Sequence, residues 1–552
     1  MKLIVQIVVI IALIWPAGWS FAQDDRNQSS DFEIYKNLEL FELVYKTVDM
    51  NYVDESNPGH LMKVAIDAML HELDPYTTYI PESRMEDYKL MTTGQYGGIG
   101  ALIQQQGDRV VITDPYEGFP AQKAGLLAGD VLLEINGQDV KSLSSSDVSE
   151  KLKGKPGSEL EVTVNRNGEV ITKKLNREEV KLSPVPYHDM VTDKIGYIKL
   201  NSFTQTAGAD VLDAFQDLKK NRGMEKLILD LRGNPGGLLI EAVKIVNMFV
   251  KKGEVIVEMK GRESRKDVKY TAALKPTDLQ IPIAVLVDGN SASASEIVSG
   301  ALQDFDRAVI VGRTTYGKGL VQRPLDLKYN AKIKVTIAKY YTPSGRCIQK
   351  LDYSGRITGQ DAEEVADSLL TKYYTRNGRE VIDGRGVEPD IQIEEKDYSK
   401  LTATLVVNHI IFNYATLFRV EQDAIAPPKE FDLTEQMYQD FVNYVLEQDF
   451  EYSTDSENIM KQLKLTAEEE KLMEIAKEEY AALLEKFKPS KARDLATFKE
   501  EISEILADEI VGRYYFQKGR YAHNLKEDRY IQKSIEILNN SARYKDILNI
   551  QE

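Results

Sequence analysis

Uninterrupted apolar runs, each closed by glycine and followed by an amphipathic stretch, constrain this chain more than any other feature of it. Leu227-Ile228-Leu229 leads through Gly233-Asn234-Pro235-Gly236-Gly237 into residues 238–250. Ile283-Ala284-Val285-Leu286-Val287 leads through Gly289-Asn290 into 291–303, and Val309-Ile310-Val311 leads into Gly312 and a polar, glycine-bearing loop. A strand with one face in water alternates apolar and polar residues; these runs leave no face for water. Continuous apolar strands alternating with helices predict a covered sheet in an α/β domain from 195 to about 345.

At 552 residues the chain exceeds what one hydrophobic core serves and fits roughly three or four domains. Residues 32–90 read as helical, with Phe41, Val44, Tyr45 and Val48, then Leu61, Val64, Ala65 and Ala68, at three- and four-residue spacing. That segment closes with the turn-like run Leu73-Asp74-Pro75-Tyr76-Thr77-Thr78-Tyr79. From 94 to 180 short strands alternate with hairpin signals at Asn136-Gly137 and Asn167-Gly168, which predicts a small β-rich module. Residues 400–552 are charge-rich and helical. There Thr466 and Glu469 suggest a capping box, and Leu472, Ile475, Ala476, Leu483, Leu484 and Phe487 form a stripe expected to pack as core or between helices.

Lys2, an apolar run from Leu3 to Ile14 and Ser20-Phe21-Ala22 before Gln23 predict a cleaved signal peptide over residues 1–22. The run falls short of the ~20 residues a spanning helix needs. An uncleaved segment anchored in the inner membrane is the alternative, and membrane association is expected only if the segment is retained. No cysteine lies near the cleavage point, which excludes a lipoprotein. The expected location is therefore the periplasm. Cys347 is the only cysteine, so no internal disulfide forms. A net charge of −17 argues against nucleic acid as a partner. The scattered histidines, His60, His71, His188, His409 and His523, argue against a metal site.

Ser291-Ala292-Ser293-Ala294-Ser295-Glu296-Ile297 follows a buried strand and opens a helix, where free N–H groups of the first turn stand beside an exposed serine. Small residues capping a helix would look the same. Gly312-Arg313-Thr314-Thr315-Tyr316-Gly317-Lys318-Gly319 shifts the balance, because glycines on both sides let backbone close around one lysine. Burial lowers a lysine pKa and makes the amine a usable base, as in Ser–Lys pairs. Gln322 is placed to hold that amine by hydrogen bonding. No histidine lies between His188 and His409 to serve instead.

These blocks, in this order over about 32 to 392, resemble the carboxyl-terminal processing, or tail-specific, proteases. The matching elements are Leu73-Asp74-Pro75-Tyr76, a PDZ-like module, Asp230-Leu231-Arg232 with the glycine turn after it, and the serine and lysine blocks. Tyr341-Thr342-Pro343-Ser344-Gly345-Arg346 and Gly386-Val387-Glu388-Pro389-Asp390 complete the series. The resemblance implies a multidomain α/β protein. It would hold an N-terminal helical segment at 32–90, an inserted PDZ domain at 94–180 and a crotonase- and Clp-protease-like protease core at 185–395, while the C-terminal helical region at 400–552 lies outside the family core. It implies Ser293 as nucleophile, Lys318 as base and Gln322 as its assistant. The oxyanion donors would be the N–H of Ala294 and of a glycine in the Asn234–Gly237 turn, Gly237 being favoured over Gly236. No metal or organic cofactor is implied.

Tyr96-Gly97-Gly98-Ile99-Gly100-Ala101-Leu102 resembles the PDZ loop that clasps a terminal carboxylate, with Gly98, Ile99, Gly100 and Ala101 as peptide-binding residues. Read as a phosphate loop the glycines fail, because no Gly-Lys-Ser/Thr follows. The expected function is an exported serine endopeptidase that takes protein or peptide substrates by their C-termini, in a chain able to form oligomers. A non-catalytic PDZ scaffold and a crotonase-like acyl-CoA enzyme are the alternatives. Export, the acidic surface and the PDZ-like module weigh against the second.

Overall fold

The computed structural model describes residues 25–262, 267–354, 361–394 and 396–550, with backbone alone for 25–30. The expected signal peptide lies outside the described residues. The chain divides between Glu72 and Leu73 into two compact units. In the smaller, α1 (Asp25–Asn51) is followed by α2 (Pro58–His71). Asn57 Oδ1 caps α2 by accepting the His60 N–H at 3.0 Å, and Pro58 takes the first helical position, where a missing N–H costs nothing.

The larger unit opens with β1 (Thr78–Ile80) and α3 (Met85–Thr93), then a β-rich module. Its elements are β2 (Gln95–Gly98), β3 (Ala101–Gln106), β4 (Arg109–Pro115), α4 (Pro120–Lys123), β5 (Val131–Ile135), β6 (Gln138–Asp139), α5 (Ser145–Leu152), β7 (Glu159–Arg166), β8 (Glu169–Asn176) and β9 (Glu178–Lys181). The sheet runs β3-β4-β5-β7-β8, and β2 pairs with β9 where the chain enters and leaves. Both expected hairpins form: Asn136-Gly137 joins β5 to β6 and Asn167-Gly168 joins β7 to β8. Val110, Ile112, Leu132, Val162 and Val164 turn into one core. Arg166 locks the turn before β5 by donating through Nε and Nη2 to Asp130 at 2.7 Å.

The central sheet contains β10 (Tyr187–Met190), β11 (Ile195–Lys199), β12 (Lys226–Asp230), β15 (Ile283–Val287) and β16 (Val309–Gly312), with the short strand Ile391–Gln392 beyond β16. All neighbours after β10 run parallel. α6 (Ala207–Gln216), α7 (Leu239–Asn247) and α8 (Ala294–Asp304) cover one face. There Leu227, Leu229, Val285 and Ile310 meet Val211, Phe215, Val246 and Leu302. A second sheet, in the order β1-β18-β13-β14 with β17 on β18, carries β13 (Val255–Gly261), β14 (Val268–Thr271), β17 (Leu320–Asp326) and β18 (Lys332–Tyr341).

The C-terminal region does two separate things. α9 (Lys400–Val407), α10 (Ile410–Glu421), α11 (Glu435–Glu447), α14 (Lys491–Thr497) and α15 (Lys499–Asn524) build a core of their own around Leu405, Ile411, Phe441 and Ile510. α16 (Arg529–Asn539) and α17 (Ser541–Ile547) leave that core and cover the other face of the central sheet. Ile531, Ile537, Leu538 and Tyr544 pack there on Ile228, Ala284, Leu286 and Val311.

Between them, α12 (Asp455–Glu469) and α13 (Lys477–Phe487) correct two sequence expectations. Thr466 lies in the last turn of α12 and donates back to Gln462 O, so it caps no helix start. The cap is Thr454, whose Oγ1 accepts the Glu457 N–H at 3.2 Å, a Thr-x-x-Glu pattern one helix earlier. The stripe from Leu472 to Phe487 is not core: Ile475 is 80% exposed, and no residue of α13 is buried.

Arg379 fastens the end of α8 to the edge of the central sheet. Its Nε donates to Asp306 at 2.6 Å, its Nη1 pairs with Asp390, and its Nη2 donates to Gln303 O at 3.0 Å. Asp390 in turn accepts the N–H of Ile310 in β16 at 2.7 Å. Arg379→Met leaves two buried carboxylates without their cation and is expected to destabilise the fold by about 3–5 kcal/mol. The urea midpoint followed by far-UV circular dichroism measures this, because both tryptophans, Trp15 and Trp19, fall in the expected leader.

Candidate active site

Ser293 sits between β15 and α8 at φ 56°, ψ −109°, a backbone conformation that L-residues adopt only when their surroundings enforce it. Its neighbours in the serine block are structural. Ser291 and Ser295 are fully buried and donate to the carbonyls of Leu231 and Asn234, each at 2.9 Å. Ser293 keeps partial access to solvent. The turn after β12 is stitched underneath. Asn234 Nδ2 donates to Leu200 O at 2.8 Å, Asn234 Oδ1 accepts the Gly236 N–H at 2.9 Å, and Asn234 O accepts the Ala292 N–H at 3.1 Å. Gly236, at φ 102°, admits no side chain: a Cβ there would lie 2.9 Å from Ser293 Cβ.

Asp230 anchors the same turn from below. It is buried, accepts from Tyr197 at 2.7 Å and from the Arg232 N–H at 2.9 Å, and pairs with Lys199 at 3.3 Å. Burial pushes its carboxyl pKa up, but the Arg232 and Lys199 charges outweigh that and hold it well below the usual range. Arg232 is also braced by the C-terminal region, through an ion pair with Asp528 at 2.8 Å and the ring of Tyr530 at 4.7 Å.

Lys318 lies in the loop between β16 and β17, half-buried. Burial first, then the Lys334 charge, brings its pKa down to about 8, against the opposing pull of Glu296 and Asp74. Among the described residues its Nζ has no hydrogen-bond or ion-pair partner and faces the ring of Tyr76 at 4.2 Å. Gln322 departs from expectation: no hydrogen bond joins it to Lys318, and its Nε2 donates to Thr336 Oγ1 across the β17–β18 ladder at 3.2 Å.

One residue that the sequence reading left out joins the two blocks. Glu296 is fully buried, and both its oxygens accept twice. Oε1 takes the Thr315 hydroxyl at 2.6 Å and the Gly317 N–H at 2.7 Å; Oε2 takes the Ser293 N–H at 2.7 Å and the Lys318 N–H at 2.9 Å. Burial raises its pKa above the ordinary carboxylate value, and those donors offset only part of that rise. With donors on every side, the ionised form is the one the site accommodates. Its signal was present as Ser293-x-x-Glu296, a capping-box spacing. The Tyr340 hydroxyl adds a second tie, lying 3.0 Å from Ser293 O and within hydrogen-bonding distance of Lys318 O.

Beside Ser293, the Gly237 and Ala294 N–H groups have no hydrogen-bond partner among the described residues. Gly236 differs, because its N–H already serves Asn234. In the β-rich module, β3 is the edge strand of its sheet and pairs only with β4 among the described residues. Ahead of it, Ile99 O and Gly100 O turn inward to accept from Ala121 and Tyr116, both at 2.8 Å. Gly100 has φ 72° and packs its Cα on Phe119, where a Cβ would meet the side chain at 2.4 Å. The N–H groups of Ala101 and Gly100 face the hydroxyl of buried Tyr96, whose pKa burial pushes up to about 12.

Residues 194–358 match Peptidase family S41, residues 111–166 match the PDZ domain, and residues 401–538 match the C-terminal helical domain of a probable PDZ-protease. The chain is 37% identical over 320 residues to a carboxy-terminal-processing protease of Bartonella bacilliformis, covering 57% of this chain and 73% of that protein. It is 33% identical over 367 residues to a probable CtpA-like serine protease of Staphylococcus aureus, and the match spans 66% of either protein. Among solved structures, the photosystem II D1 C-terminal processing protease is 30% identical, with 64% of this chain and 92% of that chain covered at a TM-score of 0.36. The serine and lysine blocks thus stand in a chain that belongs to peptidase family S41, among the PDZ-containing carboxy-terminal-processing proteases.

Proposed function

We propose that the protein is an exported serine endopeptidase that captures the C-terminal tails of proteins in its PDZ domain and cleaves nearby peptide bonds with Ser293 and Lys318. The observation that carries this reading is the coupling of the serine turn to the lysine loop through one buried carboxylate, with an unpaired, half-buried amine beside them. In the proposed mechanism the neutral Lys318 amine takes the Ser293 hydroxyl proton as Oγ attacks the scissile carbonyl. The oxyanion accepts from the Ala294 and Gly237 N–H groups, which are not engaged elsewhere among the described residues. Collapse breaks the C–N bond, and the Lys318 ammonium returns the proton to the departing amine. Water then attacks the acyl-enzyme with the lysine accepting its proton, and Ser293 leaves with its hydroxyl restored.

Tail capture at the edge of β3 follows the physics of strand addition. The peptide pairs with the open edge, and its terminal carboxylate meets the N–H groups of the Gly98–Ala101 loop, taking the place of the Tyr96 hydroxyl at Gly100 and Ala101. Gln322 enters this reading as a group that reaches Lys318 only after its bond to Thr336 is given up.

Ser293→Ala is expected to abolish cleavage of a tail-bearing protein while leaving the circular dichroism spectrum unchanged. Peptidase activity persisting in a clean preparation would overturn the assignment, and loss of labelling by a fluorophosphonate probe measures the same hydroxyl directly. Because the base must be neutral, kcat/KM should rise with pH through a midpoint near pH 8 and fall about tenfold per unit below it. A flat profile from pH 6 to 9 would exclude Lys318 as the base. Glu296→Gln replaces one acceptor oxygen with a donor that faces at least one backbone N–H in either amide orientation and is expected to cut kcat about 100-fold with a smaller change in KM. Steady-state kinetics separates the two parameters.

A further inference from the structure

Tyr76 belongs to a turn that is organised before any substrate arrives. Asp74 Oδ1 accepts the N–H groups of Tyr76 and Thr77, at 2.8 and 2.7 Å, and Asp74 Oδ2 accepts the Thr77 hydroxyl at 3.0 Å. Thr77 then leads into β1, which pairs with β18 from Thr78 opposite Lys334 onward. Two further aromatic residues flank Tyr76. The ring of Tyr353 stands edge-on to it at 6.2 Å, and the Tyr316 hydroxyl lies 3.5 Å from its own. So held, the face of Tyr76 lies 4.2 Å from Lys318 Nζ, inside the ~6 Å over which an aromatic face attracts an ammonium.

We propose that Tyr76 is a positioning residue that sets the charge state of the Lys318 amine, shielding Nζ from water with its bulk and holding the ammonium with its ring face. The inference rests on the reading of Lys318 as the base. The two effects have opposite signs. Shielding disfavours the ammonium because it removes hydration, and the ring face favours it. The other charged groups facing Lys318 are Lys334 on β18, which disfavours the ammonium, and Glu296 on α8 and Asp74 in the turn, which favour it. Shielding and Lys334 prevail, in keeping with a midpoint of about 8.

Substitution separates the two effects. Tyr76→Leu keeps apolar bulk and removes the ring face, so the lysine midpoint should fall by about one pH unit. Tyr76→Ala removes both and lets water reach Nζ, so the midpoint should rise by about one unit or more toward that of an ordinary lysine. Tyr76→Phe keeps both and should leave the midpoint where it is. The midpoint is read without turnover in full-length Ser293→Ala protein, from the pH dependence of Lys318 acetylation by acetic anhydride quantified by peptide mass spectrometry. The same Tyr76 variants with Ser293 intact give the pH profile of kcat/KM on a tail peptide.

Opposite displacements for Leu and Ala, with Phe unmoved, support the proposal. Displacements in one direction, or none, overturn it. Acetylation midpoints that move as expected while the kcat/KM profile stays fixed uphold the role of Tyr76 and overturn Lys318 as the base.

Discussion

The site depends on a negative charge placed where water cannot reach it. An isolated carboxylate in a protein interior costs several kcal/mol of lost hydration, and Glu296 recovers this only by accepting from four donors at once. Those donors belong to residues 293, 315, 317 and 318, so the carboxylate cannot be satisfied unless the serine turn and the lysine loop are both in place. The same condition explains how Ser293 is kept at a positive φ, since its N–H is aimed at Glu296 Oε2. The loops reach one carboxylate because β15 and β16 are parallel neighbours, so their carboxyl ends, like that of β12, open on the same side of the sheet. Ligand sites of open α/β sheets lie at that edge for the same topological reason.

What could be read from the sequence was what leaves a local trace. An apolar run ending in glycine marks a buried strand and its turn, so the strands carrying Leu227–Leu229, Ile283–Val287 and Val309–Val311 were legible, and with them the turns they feed. The positions of Ser293 and Lys318 came along with those turns. Contacts between distant segments leave no such trace. Tyr76 reaches Lys318 only because β1 pairs with β18, and nothing in either segment announces that pairing. Gln322 has a spacing that suggests service to Lys318, yet the β17–β18 ladder places Thr336 opposite it and takes its amide. The stripe of α13 misleads differently, because helical periodicity records amphipathicity without saying whether anything covers the apolar side. Thr454 and Thr466 both stand three residues before a glutamate, and only the helix boundary tells which of them caps.

A lysine base, the role proposed for Lys318, places an unusual demand on the fold. Histidine titrates near neutrality unaided, whereas an ordinary lysine amine is an ammonium at the pH where it would have to work. The site lowers the Lys318 pKa by burial and by the Lys334 charge, while Glu296 and Asp74 raise it. Both carboxylates also have structural work, Glu296 joining the two loops and Asp74 closing the turn that carries Tyr76. Their charges therefore cannot be removed to favour the neutral amine, and burial has to overcome them. An aromatic ring is the cover that suits this balance, because it excludes water as an aliphatic side chain does but still tolerates the cation that forms when the amine takes a proton.

The C-terminal region, which the sequence left without a role, belongs to the same argument. A parallel sheet with both faces apolar needs cover on both sides, and α6, α7 and α8 supply only one. Ile531, Ile537, Leu538 and Tyr544 supply the other, each such buried side chain contributing roughly 1.5–3 kcal/mol. The Tyr544 hydroxyl also accepts the N–H of Ile283, at the start of the strand that leads to the serine block. At the start of α16, its cap Asp528 and then Tyr530 in its first turn hold Arg232, which pairs with Asp230 beneath the turn that carries Gly236 and Gly237. The last helices therefore act on the site from behind: they cover the strands, and the strands and Arg232 fix the turns. A chain that ended before Asp528 would lose the second face of its central sheet and one of the two carboxylates that position Arg232, and both losses would be felt at the glycine turn against which Ser293 is packed.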